Sequence, residues 1–450
     1  MDYPEAVRYL DSFIDYEKIG YKGRELFNLE RMWRLAEIFN NPQDSFPVIH
    51  ISGTKGKGSI ASFISGILKE AGFNVGLYTS PHLIEPRERI KINNETINED
   101  DFAFCAGGIK RKLDSENLGF SPTYFEIYTL LAFNYFKAEK IDFGVIEVGL
   151  GGRLDATNIV KPLISVVTPI SYDHTHILGN SLEKIAFEKS GIIKTGCVVI
   201  SAPQEEEALE VIRKKCESLN TPLILVGRDV GFKEIYHDSE KEIFDIRGIF
   251  TRYKHCTSRL LGRHQVINAA CAVAAIESLE KTMSPSTDPN QPRRLIRGRL
   301  TNGIKKGLEK TENPARCEVI ARNPYIILDG AQNRASANAL KETIKRNFNY
   351  KRLILVLGIL KEKDIRGVCE ELAPLADSVI LTKAKIERAE EPRSIARFTK
   401  AKFVTLTDSV GEAMEKAQVS AGPEDMILVA GSFFVAGEAW KTQSLLYQHR

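Results

Sequence analysis

No stretch of the 450-residue chain comes near the roughly 18 consecutive apolar residues that a membrane-spanning helix needs, so a helical membrane protein is set aside. Charge of one sign is missing too. Sixty-two Lys and Arg stand against 59 Asp and Glu, and the net charge of +3 asks for neither a nucleic-acid nor a membrane-surface partner. The seven cysteines, at 105, 197, 216, 256, 271, 317 and 369, never form a CxxC pair, which argues against a zinc knuckle or a disulfide framework. Reduced thiols in a cytoplasm are the expectation. The first twenty residues carry Asp2, Glu5, Asp11, Asp15 and Glu17 and no long apolar core, against a secretory signal. Internal repeats and low-complexity tracts are also lacking.

An apolar fraction of 43% and a charged fraction of 27% describe an ordinary globular protein. Its length exceeds what one core usually serves, so two domains are expected. From about residue 47, short β-rich runs alternate with helical patterns: VIHIS (48–52), an amphipathic stretch over 60–71 closed by Gly72, VGLYT (75–79), FGVIEVG (143–149), LISVVTPI (163–170) and CVVIS (197–201). Such alternation predicts a parallel sheet covered by helices. KTMSPSTDPNQPRR (281–294), with three prolines and almost no apolar residue, predicts a loop or linker. Beyond it the pattern restarts with YIILDGA, a helix over 335–346, RLILVLGIL, a helix near 364–376, SVILT, DSVGEAMEKAQ, MILVAGS and a last helix. The expected fold is α/β. An N-terminal P-loop-type parallel-sheet ATPase domain takes 1–312, and a smaller C-terminal Rossmann-like α/β domain takes 313–450.

The stretch HISGTKGKGS (50–59) lies between the first strand and the first helical pattern. In that context backbone N–H groups converge on a phosphate, helped by the helix dipole, and Lys57 adds a point charge. The generic P-loop GxxxxGK[ST] is not met: Ile51 stands at its first glycine and Gly58 separates Lys57 from Ser59. On this pattern alone, a phosphate cradle and a glycine turn serving only strand-to-helix packing both stay open.

The loop has companions in a definite order. After GTKGKGS come SPHL (80–83), ERI (88–90), TYFE (123–126), EVGLGGRLDATN (147–158), DHTHILG (173–179), EKSGIIK (188–194), GRHQVINAA (262–270), NPARCEVI (313–320), LDGAQN (328–333), GILKEKD (358–364) and GSF (431–433). Together they resemble the folylpolyglutamate synthase and dihydrofolate synthase branch of the Mur ligase superfamily, over nearly the whole chain.

That resemblance implies an ATP site built from Gly53, Thr54, Gly56, Lys57, Gly58 and Ser59, and two magnesium ions held by Ser59, Ser80, Glu147 and His174. Glu147 ends an apolar strand, where open α/β sheets place ligands, and a charge in such a run requires a partner; an ion-paired structural glutamate is the alternative. His174 taken alone reads as a structural histidine. Lys189, read from its neighbours, is a solvated charge on a helix face. The resemblance instead implies a carbamylated lysine there, and allows a potassium ion. Asn268 resembles an adenine contact, although a helix cap or a polar helix face is equally compatible. Arg316 and Asp329 resemble the arginine and aspartate that the second domain brings to the nucleotide, with Arg299 a weaker candidate for the former. Gln332 stands where histidine is usual, and Lys55 where asparagine is common. Glutamine keeps hydrogen bonding but cannot titrate.

On the acceptor side the resemblance implies Pro81, His82, Thr123, Phe125, Glu126, Arg153 and Asp155. Tyr124 and Phe125 could stack on an aromatic ring, while the rest of TYFEIYTLLAFNYF reads as core. Arg153 and Asp155 could equally brace their own loop. The implied activity is ATP-dependent addition of L-glutamate to a pteroate- or folate-type carboxylate through an acyl phosphate, with Lys57, His174, Lys189 and Arg316 as catalytic groups. A monomer with small-molecule partners only is expected. Two alternatives differ in class: another Mur-type amino-acid ligase, and a non-catalytic ATP-binding switch.

Overall fold

The computed structural model describes residues 1–19, 28–283 and 298–448. Strands β1 (Val48–Ser52), β2 (Val75–Tyr78), β3 (Ile90–Ile92), β4 (Glu95–Thr96), β5 (Phe143–Glu147), β6 (Pro162–Val167), β7 (Val198–Ser201) and β8 (Leu223–Leu225) form one sheet in the order β4-β3-β2-β5-β1-β6-β7-β8. From β2 to β8 every neighbouring pair is parallel. β1, β2 and β5 are buried at every residue, as strands covered on both faces must be. Their apolar character supports the alternation argument. The antiparallel β3 and β4 at one edge lie outside it.

The helix Lys57–Glu70 covers one face of this sheet and starts three residues earlier than the apolar spacing predicts, because Gly56 turns the chain in the left-handed region (φ 85°). The spacing registers only the buried stripe that begins at Ile60. The helix Arg299–Lys310 packs against it, and a Cβ on Gly307 would lie 2.4 Å from Ile67 Cα. Of the expected linker, residues 281–283 close the helix Arg263–Met283; 284–294 lie outside the described residues.

A hairpin sheet of β9 (Gly231–His237), β10 (Glu242–Arg247) and β11 (Arg252–Ser258) follows, unanticipated by the sequence reading. Buried Glu277 caps its turn by accepting from the Phe250 and Thr251 N–H groups and the Tyr253 hydroxyl. The smaller lobe holds a second sheet: β12 (Glu318–Arg322), β13 (Tyr325–Leu328), β14 (Leu353–Leu357), β15 (Ser378–Leu381), β16 (Val404–Leu406) and β17 (Met426–Ala430), in the order β12-β13-β17-β14-β15-β16. Only β12 runs antiparallel. Among the described residues no helix is long and apolar enough to cross a membrane.

The approach at Gly307 generates a packing prediction. Gly307→Ala must push the two helices apart or distort them, at a cost of about 1–3 kcal/mol. Urea denaturation should show a lowered midpoint, and an unchanged midpoint would mean that the pair relaxes freely.

Candidate active site

β1 lies centrally, between β5 and β6, and chain order reverses across it, which is where open α/β sheets bind ligands. Glu147 ends β5, the glycine loop follows β1, and His174 follows β6, so one sheet edge collects all three. The loop is pinned from behind. Thr54 and Lys55 donate their N–H groups to Pro169 O, and Thr54 Oγ1 exchanges hydrogen bonds with Ser171. Gly53 (φ 140°) passes so close to Thr168 that a Cβ would fall 1.9 Å from Thr168 Oγ1, and one on Gly56 would fall 2.6 Å from Asn268 Oδ1. No side chain caps the N-terminus of the helix Lys57–Glu70, which leaves its first amides for an anion.

A cavity of about 290 Å³ opens here between the two lobes. Lys57 Nζ stands 4.0 Å from Glu147 Oε1, and the Ser80 N–H donates to Glu147 Oε2 at 3.2 Å. Burial pushes the Glu147 carboxyl up, opposed by Lys57, the Ser80 amide and Arg316. Ser59 Oγ accepts from Asn313 Nδ2 at 3.2 Å. Across the cavity the Arg316 guanidinium lies 4.3 Å from the centre of the Phe433 ring, and burial lowers its pKa against the pull of Asp329 and Glu147. Asp329 accepts from the Cys317 and Ala331 N–H groups. Asn268 is buried and donates to Gln265 Oε1, at neither a cap nor an exposed helix face. Gln332 lines the cavity without an ionisable group. Arg299 does not: it donates to Gly72 O beside Phe73, which removes it as an alternative to Arg316 in this cavity.

Lys189 departs from the reading of its neighbours. It is 4% exposed, and its Nζ donates to Gly53 O at 2.9 Å, beneath the phosphate loop. Burial, then the Lys57 charge, lower its pKa to about 7, so the amine is largely neutral just above neutrality. His174 adopts φ 49°, and its Nε2 lies 3.0 Å from Lys363 Nζ. Burial, with Lys363 beside it, holds its pKa well below the usual imidazole range. A neutral imidazole is the form that binds metals.

A second cavity, of about 50 Å³, adjoins the first, and Glu17, Gly149 and Leu150 line both. Thr123, Phe125, Glu126 and Asp155 line it together. Thr123 and Glu126 form a capping box on the helix Tyr124–Ala138, and Glu126 also pairs with Arg31. Asp155 accepts from the Leu150 and Thr157 N–H groups, which folds the loop after β5 back on itself. Tyr124 is 1% exposed and packed on Tyr128 and Arg89, so its suggested stacking role is withdrawn. Two further residues are not brought in. Arg153 pairs with Glu188 beside Phe187, outside both cavities, and His82 turns its Nδ1 to Arg89 Nε at 2.9 Å. Pro81 and Ser80 line the first cavity.

The sequence reading passes over Asp173, Lys363, Asn313 and Glu17. Asp173 and Lys363 stand within quoted motifs, DHTHILG and GILKEKD, but charged residues on polar segments carry no signal of pairing across 190 positions.

The two lobes match two family models: the Mur ligase middle domain over residues 51–276, and the Mur ligase glutamate ligase domain over 315–433. Among relatives, a dihydrofolate synthase/folylpolyglutamate synthase of Bacillus subtilis is 32% identical over 92% of this chain and 94% of its own. A folylpolyglutamate synthase of Lacticaseibacillus casei is 31% identical over 98% and 99%. The solved structure of E. coli FolC in complex with DHPP and ADP superposes with a TM-score of 0.84 at 27% identity, covering 99% of both chains. The chain therefore belongs to the Mur ligase family, within its folylpolyglutamate and dihydrofolate synthase branch.

Because Lys189 titrates near pH 7 in the fold and near 10.5 when unfolded, the unfolded state binds more protons between these values, and this residue's contribution to stability grows as pH rises through that window. In bicarbonate-free buffer, Lys189→Met should melt above wild type at pH 6–7, with the gap closing towards pH 10. A gap independent of pH would show that the ammonium stays charged in the fold.

Proposed function

We propose that the protein is an ATP-dependent ligase that adds L-glutamate to a folate-type carboxylate, dihydropteroate or a folylpolyglutamate. One observation carries the reading: the phosphate loop, Arg316 and Glu147 line one cavity, and the Asp155–Phe125 pocket adjoins it, with Glu17, Gly149 and Leu150 lining both. The relatives in Bacillus subtilis and Lacticaseibacillus casei, a dihydrofolate synthase/folylpolyglutamate synthase and a folylpolyglutamate synthase, agree with it. Residues 1–312 would hold the triphosphate and the acceptor, and 313–450 would supply Arg316 and Asp329. The protein would act in the cytoplasm as a monomer.

A free carboxylate has no adequate leaving group, so its oxygen attacks the γ-phosphorus of ATP and ADP departs, leaving an acyl phosphate. The glutamate nitrogen then attacks the acyl carbon, phosphate leaves, and the nitrogen loses a proton. Positioning and charge neutralisation catalyse the first step. The loop amides and Lys57 take the β- and γ-phosphates, and Arg316 approaches the transferring group from the other lobe, its plane held by Phe433. Asn268 and Gln332 bind the nucleoside end, while Asp155 and Phe125 orient the acceptor. Lobe closure keeps water from the acyl phosphate.

The residues fit magnesium. Ser59 and Glu147 offer hard oxygen donors beside the loop, Ser80 is hydrogen-bonded to Glu147, and neutral His174 stands beyond. Among the described residues no three His, Cys, Asp or Glu side chains form a metal cage, in keeping with an ion that takes part of its shell from phosphate and water. Bound there, magnesium would offset charge on the phosphate oxygens. Neutral Lys189 is the nucleophilic form that carbon dioxide requires, and the resulting carbamate would place an anion next to this region.

ATP hydrolysis should require both a pteroate-type acceptor and glutamate, with the amide product identified by mass. Acceptor-independent hydrolysis, or none, would favour the switch reading. Lys57→Ala should cut turnover at least about 100-fold while the fold persists. Lys189→Ala should lose rate and regain part of it with added acetate; a fully active alanine variant would reject the carbamate.

A further inference from the structure

Asp173 stands where three parts of the protein meet. One carboxylate oxygen accepts from Lys363 Nζ at 2.9 Å and from the His174 N–H at 3.0 Å. The other accepts from Lys55 Nζ at 3.2 Å and from Asn333 Nδ2 at 3.1 Å. Lys55 belongs to the phosphate loop, Asp173 to the segment after β6, and Lys363 and Asn333 to the smaller lobe. Only 4% of the Lys363 side chain is exposed and 10% of Asp173. Two ammonium groups therefore share one carboxylate, Lys363 almost wholly out of water and Lys55 27% exposed, so removing the anion leaves like charges close together with one of them buried, rather than merely losing a hydrogen bond. The same Lys363 nitrogen reaches His174 Nε2 at 3.0 Å, so the pairing also fixes the imidazole.

We propose that Asp173 is a positioning residue that joins the phosphate loop to the smaller lobe: by holding Lys55 and Lys363 on one carboxylate it closes the cavity and sets Lys363 against His174. Asp173 borders the cavity, but in this assignment its carboxylate is taken up by Lys55, Lys363 and Asn333 and does not touch the reacting atoms. Its effect passes through Lys363 and Lys55. Asn333, which caps the helix Arg334–Asn347 through its Oδ1, carries the link into the helix whose start borders Gln332. Lobe position and imidazole orientation thus depend on one anion. Its catalytic readout rests on the ligase reading; its conformational readout does not.

The test uses the full chain with Asp173→Asn, Lys363→Met and the double variant. In glutamate-dependent turnover, Asp173→Asn should lower kcat at least about 30-fold with KM for ATP changed less than about threefold. The double variant should be no worse than the poorer single one, because both remove one link. Multiplying effects would overturn the proposal, since a carboxylate that merely supports its own loop would add to the loss at Lys363. Small-angle scattering with a non-hydrolysable ATP analogue and magnesium should show wild type compacting on binding and Asp173→Asn failing to compact. Equal compaction would also overturn it. If glutamate-dependent turnover is absent in wild type, the ligase reading fails while scattering still decides Asp173. Should Asp173→Asn not fold, Lys55→Asn and Lys363→Met probe the same carboxylate from its two sides, and their combined loss should fall short of the product.

Discussion

A bare helix N-terminus at the central strand is the constraint on which the rest depends. The helix Lys57–Glu70 begins without a side-chain cap, immediately after a glycine in the left-handed region, so its first N–H groups have no partner inside the helix. A loop holding such groups open must be fixed from outside. Pro169 and Ser171 fix it with backbone oxygens, and Lys189 reaches Gly53 O from below. The glycines follow from that support, because Thr168 and Asn268 approach the loop closely enough to leave no room for a Cβ. Holding these amides open and packing β6 and the helix Arg263–Met283 are therefore one steric problem.

Electrostatics then explains why a second lobe is needed. Lys55, Lys57, Lys189, Lys363 and Arg316 all border the same cavity against Glu147, Asp173 and Asp329. Burial alone disfavours that many cations, and the structure answers in two ways. Lys189 drifts towards neutrality, and so does Lys55, lowered to about 8 by burial against the pull of Asp173. Asp173 does the reverse: burial would raise its carboxyl, but Lys55 and Lys363 outweigh that and hold it well below the usual carboxylate range. With Arg388 and Glu17 included, six cations face four carboxylates in formal charge, an excess suited to a polyanion that the drift of Lys189 and Lys55 reduces.

The two sheets are legible in the sequence because buried parallel strands are nearly uninterrupted apolar runs, as LILVL and MILVA illustrate. The sheet β9–β11 is not. Its strands, GFKEIYH and EIFDIR, mix charges with apolar residues, and β9 has no fully buried position, since only one face of the sheet is covered, where Phe244, Ile246, Tyr253 and Cys256 join the core of the larger lobe. In the site, the legible residues are those on loops following apolar strands: the phosphate loop, Glu147 and His174. Lys189 is illegible as a buried group because its surroundings come from residues 53 and 57, more than 130 positions away. For Arg153 the sequence leaves two readings open, a contact at the site and a brace for its own loop, and its ion pair with Glu188 is the brace, which no local pattern reveals because the partner lies 35 positions away.

The smaller lobe is also held at a distance from the cavity. Glu242, 1% exposed in β10, accepts from the Gly262 N–H, Arg346 Nη2 and Asn347 Nδ2, so the hairpin sheet clamps the end of the helix Arg334–Asn347. Asn333 starts that helix and bonds Asp173. One rigid helix of 14 residues thus touches the larger lobe at both ends, through a fully buried carboxylate at its C-terminus and a part-buried one at its N-terminus. Charge burial resists separation most at the Glu242 end, where exposure is least.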